Sequence, residues 1–329
     1  MIRTPICDLL GIDVPIVLGG MGSGTSAPLA AAVSEAGGFG ILGLNSRKAE
    51  DIPGLFADVR QRTGRPFGAN FLMFRMPEEC FAAALAERPA VLSFAWPRLD
   101  DDLRPWFERA HEAGARVMFM AGEVPRLELA AAAGADIVVA QGCEGGGHVG
   151  WMGTMPLVPM AVDAVRPIPV LAAGGIADGR GLAAALALGA QGVLLGTRFL
   201  ATDEAPLHAN FKRAIVSSNG HDTVITDIPD VARAQVWPGA MARSLRNRFI
   251  ERWAGRDWAL RAEQHKAQAG LERAHRDGDV EEAALLMGQD AGLIASVLPA
   301  REVVTRIAAE AEAILRRTLP ALSASPPIR

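Results

Sequence analysis

Residues 168–199 read IPVLAAGGIADGRGLAAALALGAQGVLLGTRF. An apolar, strand-like run passes through two glycines into an alanine-rich helical run, and a second apolar run then ends at Gly196. Gly189 closes the helical run at the C′ position, where a left-handed residue is favoured. Strand, helix and strand in this order are typical of a β/α repeat with parallel strands.

The same alternation runs through residues 1–204, where eight strand-like runs are separated by helical ones. The strand-like runs are apolar throughout, as expected when helices cover both faces of a parallel sheet. Eight β/α units predict an α/β fold of the (β/α)8 TIM-barrel type, whose usual size is about 250 residues. An open doubly wound sheet is the alternative, but no G-x-G-x-x-G motif follows the first strand. The predicted strands are Ile16–Leu18, Phe39–Leu42, Phe67–Phe71, Ala90–Phe94, Arg116–Met120, Asp136–Ala140, Ile168–Ala172 and Gly192–Leu195.

The composition changes after the last of these strands. Residues 205–298 carry more charge and few strand-like patterns, which predicts a mostly helical second domain. One helix is predicted over Asp257–Arg276, and another from Asp279, an N-cap type residue followed by two glutamates. Residues 299–322 have apolar residues at helical spacing and are predicted to pack back onto the barrel, whereas residues 323–329 are predicted to be disordered.

The composition also excludes several classes of function. A net charge of −4 provides no general attraction to nucleic acid or acidic membranes. The three cysteines show neither a disulfide framework nor a metal-ligand spacing, which predicts a reducing, cytoplasmic location without a metal site. No apolar stretch is suited to a signal peptide or a membrane span. Four arginines at helical spacing are interpreted as a solvated, paired face: Arg243, Arg246, Arg248 and Arg252.

Glycine-rich segments follow the seventh and eighth predicted strands. In a (β/α)8 barrel these two loops often bind a phosphate group through backbone N–H groups. The alternative is that the glycines only form tight turns between strand and helix. The two segments together, in the right strand order, favour a phosphate site whose predicted donors are Gly174, Gly175, Gly196 and Thr197.

The loop after the first strand, LGGMGSGTS over residues 18–26, is unusually rich in glycine. A backbone that approaches a planar ring would explain Gly20 and Gly22, with Met21 packed on the ring edge. A flexible loop is the alternative. Asn70 ends the third predicted strand, where its amide is suited to a heterocycle, although it is equally suited to local backbone groups.

Residues 137–150 read IVVAQGCEGGGHVG, an apolar strand that runs into three glycines and a histidine. His148 titrates near neutral pH and is predicted to be a proton-transfer group, with a structural histidine as the alternative. Gln141 ends the strand and is predicted to bind a polar ligand edge. Gly146 lets the backbone approach a flat ligand. Glu144 is interpreted as a supporting or solvated group.

These segments together resemble the nitronate monooxygenase family, formerly called the 2-nitropropane dioxygenases, and the likeness runs nearly from end to end. The most specific motif is AQGCEGGGH over residues 140–148. The others are PIVLGGMG over residues 15–22, AVSEAGGFG over 32–40, GAN over 68–70, AAGGIAD over 172–178 and GVLLGTRF over 192–199.

The resemblance implies an FMN-binding (β/α)8 barrel with a helical lid domain. It implies that His148 is the catalytic base, and that a nitroalkane or its nitronate is oxidised with O2 to a carbonyl compound and nitrite. It places the FMN phosphate on Gly175, Gly196 and Thr197. The flavin ring would lie near Gly20, Met21, Gly22, Asn70 and Gln141.

One feature departs from the family. Some members carry a lysine at the end of the fifth strand, but residues 118–122 read MFMAG. The same barrel, glycines and histidine also occur in NAD(P)H-dependent flavin reductases acting on enoyl-acyl carrier protein or quinones, which are the first alternative. A barrel without redox chemistry, such as a phosphosugar isomerase, is another. NAD(P)H use and a homodimer stay open. Trp151, Met152 and Asp290 are expected to shape the substrate pocket.

Overall fold

The computed structural model describes residues 2–323, so residues 324–329 of the predicted disordered tail lie outside the described residues. The strands in chain order are β1 (Ile16–Leu18), β2 (Gly40–Gly43), β3 (Phe67–Leu72), β4 (Val91–Ala95), β5 (Arg116–Ala121), β6 (Ile137–Gln141), β7 (Gly147–Val149), β8 (Val170–Ala173), β9 (Gly192–Leu195), β10 (Thr223–Thr226) and β11 (Met241–Leu245).

Helices separate the strands. The α-helices are α1 (Pro5–Leu10), α2 (Ala27–Glu35), α3 (Ile52–Arg62), α4 (Glu78–Ala86), α5 (Arg104–Glu112), α6 (Val124–Ala132), α7 (Thr154–Val165), α8 (Gly179–Ala187), α9 (Thr197–Leu200), α10 (Ala209–Ser217), α11 (Ile228–Ala232), α12 (Arg248–Trp253), α13 (Asp257–Ala262), α14 (Gln264–Asp277), α15 (Ala300–Ala313) and α16 (Leu319–Ser323). Shorter 3-10 helices span Gly22–Gly24, Ala49–Asp51, Met73–Arg75 and Gln289–Leu293, and a π-helical turn spans Ile314–Thr318.

Eight parallel strands form one sheet in the order β1-β9-β8-β6-β5-β4-β3-β2. The sheet closes on itself because Val17 of β1 bridges to Phe39 beside β2, and the Leu18 N–H donates to the Phe39 carbonyl at 2.9 Å. The predicted (β/α)8 barrel is confirmed, with each strand within two residues of its predicted start. The carboxyl ends of the strands meet at one end, here called the barrel mouth.

Two apolar layers hold the barrel together. Inward-facing side chains such as Val17, Ile41 and Val139 fill its interior, and α1 covers the end opposite the mouth with Ile6 and Leu10. Outward-facing side chains of the same strands pack against the alanine-rich helices. Both faces of the barrel strands are therefore largely buried, which is why their sequences lack an apolar-polar alternation.

Helix α15, which follows the lid region, packs against α8. Its Glu310 carboxylate accepts a hydrogen bond of 2.9 Å from the N–H of Gly179, the first residue of α8. Close approach requires glycine there, since a Cβ on Gly179 would lie 2.5 Å from the Ala311 nitrogen. The helix thus lies against the barrel beside the loop after β8.

Residues 205–298, here called the lid region, contain α10–α14 and the strands β10 and β11. These two strands form a small antiparallel sheet with β7 in the order β10-β11-β7. The sheet is absent from the sequence-based prediction, because β7 is only three residues of the glycine loop and becomes a strand through pairing with β11. Among the described residues, no helix combines the length and apolar character that crossing a bilayer requires.

Two helix predictions in the lid region are wrong. The run from Asp257 to Arg276 breaks at Glu263 into α13 and α14. The chain after Asp279 forms turns instead of a helix. The buried Asn247 amide donates to the carbonyls of Val280 and Ala283, both at 2.7 Å, and these tertiary hydrogen bonds compete with the local helical pattern.

Candidate active site

The loop after β1 meets β3 and β9 at the barrel mouth. The Asn70 amide donates to the Gly20 carbonyl at 3.2 Å, and a Cβ on Gly20 would collide with Asn70. Gly22 has a positive φ of 56°. A Cβ on Gly196 would lie 3.4 Å from the Met21 sulfur. The structure therefore brings together the predicted cofactor residues of these three strand ends.

The loops after β6 and β8 form the other half of the mouth. Gly174 takes a φ of 95°, and its backbone lies against Gly145. A Cβ on Gly146 would lie 2.6 Å from the Gly288 nitrogen, so the lid region reaches the glycine loop here. The Gly288 N–H in turn donates to the Thr197 hydroxyl at 2.9 Å.

Several polar groups at the mouth have no partner among residues 2–323. The backbone N–H groups of Gly174, Gly175, Gly196 and Thr197 have no protein acceptor there. The buried Gln141 Oε1 is also without a hydrogen bond. Buried polar groups in proteins are nearly always hydrogen-bonded, and a bound ligand is one partner that would satisfy these groups. These donors fit a phosphate group, and the Gln141 amide fits the polar edge of a heterocycle.

The N-terminus of α8 itself is already satisfied. The Asp178 side chain accepts from the N–H groups of Arg180 and Gly181, and Glu310 accepts from Gly179. Any phosphate at this side of the mouth therefore depends on the glycine turn before the helix and on the loop after β9.

His148 lies on β7 and is held by the lid region. Its Nε2 lies 2.9 Å from Asp230 Oδ2, and the two side chains are only 8% and 6% exposed. Trp237 stacks on the imidazole with a ring-centroid distance of 3.3 Å and an interplanar angle of 11°. The ring is therefore fixed in position and orientation from two sides.

Burial lowers the pKa of His148 below its usual value, and the hydrogen bond and charge of Asp230 oppose this effect. The imidazole is therefore neutral at pH 7. An ionised carboxylate can only accept, so Asp230 selects the tautomer with the proton on Nε2. Nδ1 then carries the free lone pair and can accept a proton.

Two guanidinium groups lie near this histidine. Arg75 packs over Phe74 and Trp237 at 5.6 Å and 5.7 Å from the ring centroids. Arg233 is half-buried, and desolvation lowers its pKa. Neither side chain forms a hydrogen bond or ion pair within the described part of the chain. Both lower the pKa of His148 through their charge, so they also attract an anion to its surroundings.

Sequence reasoning missed the side chains that surround His148. Asp230, Trp237, Arg75 and Arg233 carry no recognisable motif, and only the fold brings them to the mouth. Trp237 was visible as an isolated tryptophan in a Val-Trp-Pro run, which is the one local indication available.

The structure also shows the contacts of the other residues discussed from the sequence. The Glu144 carboxylate caps α7 by accepting from the Thr154 N–H at 3.0 Å, which makes it a structural support. The interpretation of Arg243 as solvated is wrong, because it is 7% exposed and donates to the Cys143 carbonyl at 2.8 Å. Arg248 and Arg252 do pair with glutamates at the surface.

The three residues expected to shape the substrate pocket lie in three different environments. Trp151 is exposed, Met152 packs against the core, and Asp290 is buried beside Thr197. At the end of β5, where some relatives have a lysine, Gly122 packs against the Gly150 backbone.

Comparison with known proteins agrees with this fold. The sequence profile of the family described as "Nitronate monooxygenase" matches residues 3–88 and 81–310. A relative from Mycobacterium tuberculosis (strain ATCC 25618 / H37Rv), "(3aS,4S,5R,7aS)-5-hydroxy-7a-methyl-1-oxo-octahydro-1H-indene-4-carboxyl-CoA dehydrogenase", is 36% identical over 265 residues, which cover 76% of this chain and 68% of the relative.

Two solved structures are similar over nearly the whole chain. FabK from Thermotoga maritima has a TM-score of 0.87 at 34% identity and covers 98% of this chain and 100% of that structure. Nitroalkane oxidase from Streptomyces ansochromogenes has a TM-score of 0.81 at 32% identity, covering 96% and 99%. The chain therefore belongs to the nitronate monooxygenase family of oxidoreductases.

Proposed function

We propose that the chain is an FMN-dependent nitronate monooxygenase that oxidises alkyl nitronates and nitroalkanes with O2 to a carbonyl compound and nitrite. The observation that carries this proposal is the neutral His148, whose Nε2 is bound to Asp230 and whose Nδ1 is free. His148 follows β6, and the unpartnered phosphate-type donors lie in the loops after the next two strands of the barrel, β8 and β9. A base beside a cofactor site is what proton abstraction next to a flavin requires.

The residues at the mouth fit FMN. The unpartnered N–H groups of Gly174, Gly175, Gly196 and Thr197 would hold the phosphate. Gln141 would bind the ring, and Gly20, Met21, Gly22, Asn70 and Gly146 would line it. Gly20 and Gly146 are required as glycines by the close packing of Asn70 and Gly288 on them. When bound, FMN would supply the electron transfer that the protein side chains cannot.

In this proposal His148 removes the α-proton of a neutral nitroalkane. The proton moves to Nδ1, while Asp230 keeps Nε2 protonated and stabilises the imidazolium that forms. A nitronate arrives without that proton and needs no base. Arg75 and Arg233 favour such an anionic reactant through their positive charge, which lowers the pKa of His148 and which only the charges of Asp230 and, for Arg233, Glu272 oppose. The lid region would exclude water from the dyad, which is already nearly buried.

A flavin-dependent NAD(P)H reductase of the enoyl-acyl carrier protein or quinone type is the second candidate. The β5 end without a lysine and the similarity to a carboxyl-CoA dehydrogenase support it. The guanidinium pair would suit the phosphate groups of a carrier-bound thioester as well as a nitronate.

The test uses the purified chain. Mass spectrometry of the flavin released on denaturation should detect FMN, and finding FAD or no flavin would contradict the cofactor assignment. The chain is then mixed without oxygen with a nitronate or, separately, with NADPH, while flavin absorbance is followed. Rapid bleaching by the nitronate alone supports the monooxygenase, whereas rapid bleaching by NADPH alone supports the reductase.

A further inference from the structure

The loop between β6 and β7 connects two residues of the proposed site, Gln141 and His148. Four of the six residues 142–147 are glycines. Glycine has the widest conformational freedom of any residue, so the loop sequence does not by itself fix the position of the base. A displacement of about 1 Å between reacting groups can lower a rate about 10²-fold. The position of His148 therefore depends on contacts that restrain the loop from outside.

Arg243 of the lid region restrains this loop at two points. Its backbone on β11 pairs with Gly147 on β7, next to the pair formed by Ala242 and His148. Its Nε donates to the Cys143 carbonyl at 2.8 Å. One residue thus holds the loop at its end beside His148 and also near its start at Cys143.

The Arg243 guanidinium is in turn held by β10. Its Nη1 donates to the Thr223 hydroxyl at 3.1 Å, and that hydroxyl donates its own proton to the Gly220 carbonyl, also at 3.1 Å. Thr223 itself pairs with Leu245 in the antiparallel sheet. The guanidinium is therefore fixed relative to the sheet of the lid region, and its contact with Cys143 transmits that position to the loop.

The surroundings of Arg243 do not neutralise its charge. The residue is only 7% exposed, and its side chain forms no ion pair within residues 2–323. The nearby Glu144 carboxylate is engaged elsewhere, by the Thr154 N–H at 3.0 Å. Burying a cation without a paired anion is unfavourable, and burial correspondingly lowers the pKa of Arg243. An uncharged side chain would pack here at lower cost, which indicates that the two directed hydrogen bonds of the guanidinium have a role.

We propose that Arg243 is a positioning residue, which holds the glycine loop so that Nδ1 of His148 is aligned with the α-proton of a nitroalkane. Arg243 touches no reacting atom and acts only through the loop backbone. The proton still moves to His148, and Asp230 still selects the tautomer. This inference rests on the proposed role of His148 as the base.

Steady-state kinetics of the FMN-loaded full chain compares Arg243→Ala with Arg246→Ala, whose side chain is exposed just after the same strand. In Arg243→Ala the kcat for a neutral nitroalkane should fall about 10- to 10²-fold, with a much smaller fall for the preformed nitronate, which needs no base. The acidic limb of kcat/KM should keep its wild-type position, since Arg243 is not among the charges that act on the His148 pKa. Guanidinium ions at millimolar concentration should restore part of the lost rate. Arg246→Ala should match wild type in every measurement.

Hydrogen–deuterium exchange gives a second readout that does not depend on turnover. The amides of residues 142–149 should exchange faster in Arg243→Ala than in wild type or Arg246→Ala. If Arg243→Ala does not fold, Thr223→Val takes its place. That variant keeps the guanidinium, removes the acceptor of its Nη1 and should give both effects at a smaller size.

The possible outcomes separate this inference from the proposed function. Equal losses of kcat with the nitroalkane and the nitronate, or loop exchange that stays at the wild-type rate, would overturn the inference and leave Arg243 with a structural role only. A wild-type chain that turns over neither substrate would instead overturn the proposed function. The exchange of residues 142–149 would then still show whether Arg243 holds the loop.

Discussion

A single carboxylate decides what His148 can do. With Asp230 on Nε2, the free nitrogen of the imidazole is Nδ1, and the base is ready without any change of tautomer. Trp237 covers one face of the ring and prevents it from turning away. The chemistry at this position therefore depends on contacts that lie far from the glycine motif in which the histidine is found.

The first prediction concerns His148→Ala. The variant should retain FMN, because no phosphate or ring contact is assigned to the imidazole. Turnover of neutral nitroalkanes should fall about 10²–10⁴-fold, the usual contribution of a general base. Preformed nitronates should be affected much less, and steady-state kinetics with the paired substrates measures the difference. Equal, wild-type rates with both substrates would rule out the assignment.

The pH dependence gives a second prediction. Since the pKa of His148 is lowered, the acidic limb of kcat/KM for nitroalkanes should lie below pH 6.5, and activity should be lost as the pH falls through it. Asp230→Asn removes the group that raises the pKa of His148, so the acidic limb of the kcat/KM profile should shift to lower pH.

The plateau of kcat/KM for Asp230→Asn should also drop about 10²–10⁴-fold, because an amide can donate to Nε2 and leave the proton on Nδ1. Asp227→Asn is the control, as the Asp227 side chain makes no cap hydrogen bond in the same segment. A pH–rate profile of Asp230→Asn that matches wild type would exclude a positioning role.

At the scale of the elements, hydrogen bonds to loops decide where the helices of the lid region end. Asn247 caps α12 by accepting from the Ile250 N–H at 3.1 Å, while its amide satisfies two carbonyls near residue 280. One side chain thus joins a helix to the turn that replaces the helix predicted from Asp279. Local propensity favoured a helix there, and buried tertiary hydrogen bonds prevailed.

Asn247→Ala should lower the free energy of unfolding by about 2–4 kcal/mol, because it removes the cap and leaves two buried carbonyls unpaired. Urea denaturation followed by circular dichroism measures the change. Asn219→Ala is a suitable comparison, since that exposed side chain only accepts from the His221 N–H, and its loss should cost less than about 1 kcal/mol. Similar losses in both variants would contradict the structural role of Asn247.

At the scale of the whole molecule, the barrel is joined to α15 through a glycine contact. Gly179→Ala should push α15 away from α8, since the new methyl group would lie 2.5 Å from the Ala311 nitrogen. A stability loss of about 1–3 kcal/mol is expected from such overpacking. Faster limited proteolysis near α15 should accompany it.

Gly270→Ala is the matched control for this substitution. The position lies inside α14 with nothing within 4 Å of the added Cβ. Alanine should therefore stabilise the chain by about 0.5–1 kcal/mol. Thermal unfolding of the two variants, measured side by side, should change in opposite directions, and a loss of stability in both would argue against the packing explanation.

The sequence by itself determined the barrel and the location of its mouth. Eight apolar runs and their glycine turns are local patterns, and parallel strands place all their carboxyl ends together, so Gly20, Gly175 and Gly196 could be assigned to one site. The tertiary structure decided the rest. Asp230 lies 82 residues from His148, and β7 exists only through its pairing with β11. Such partners are brought together by the packing of the lid region, which leaves no periodic or local pattern in the chain.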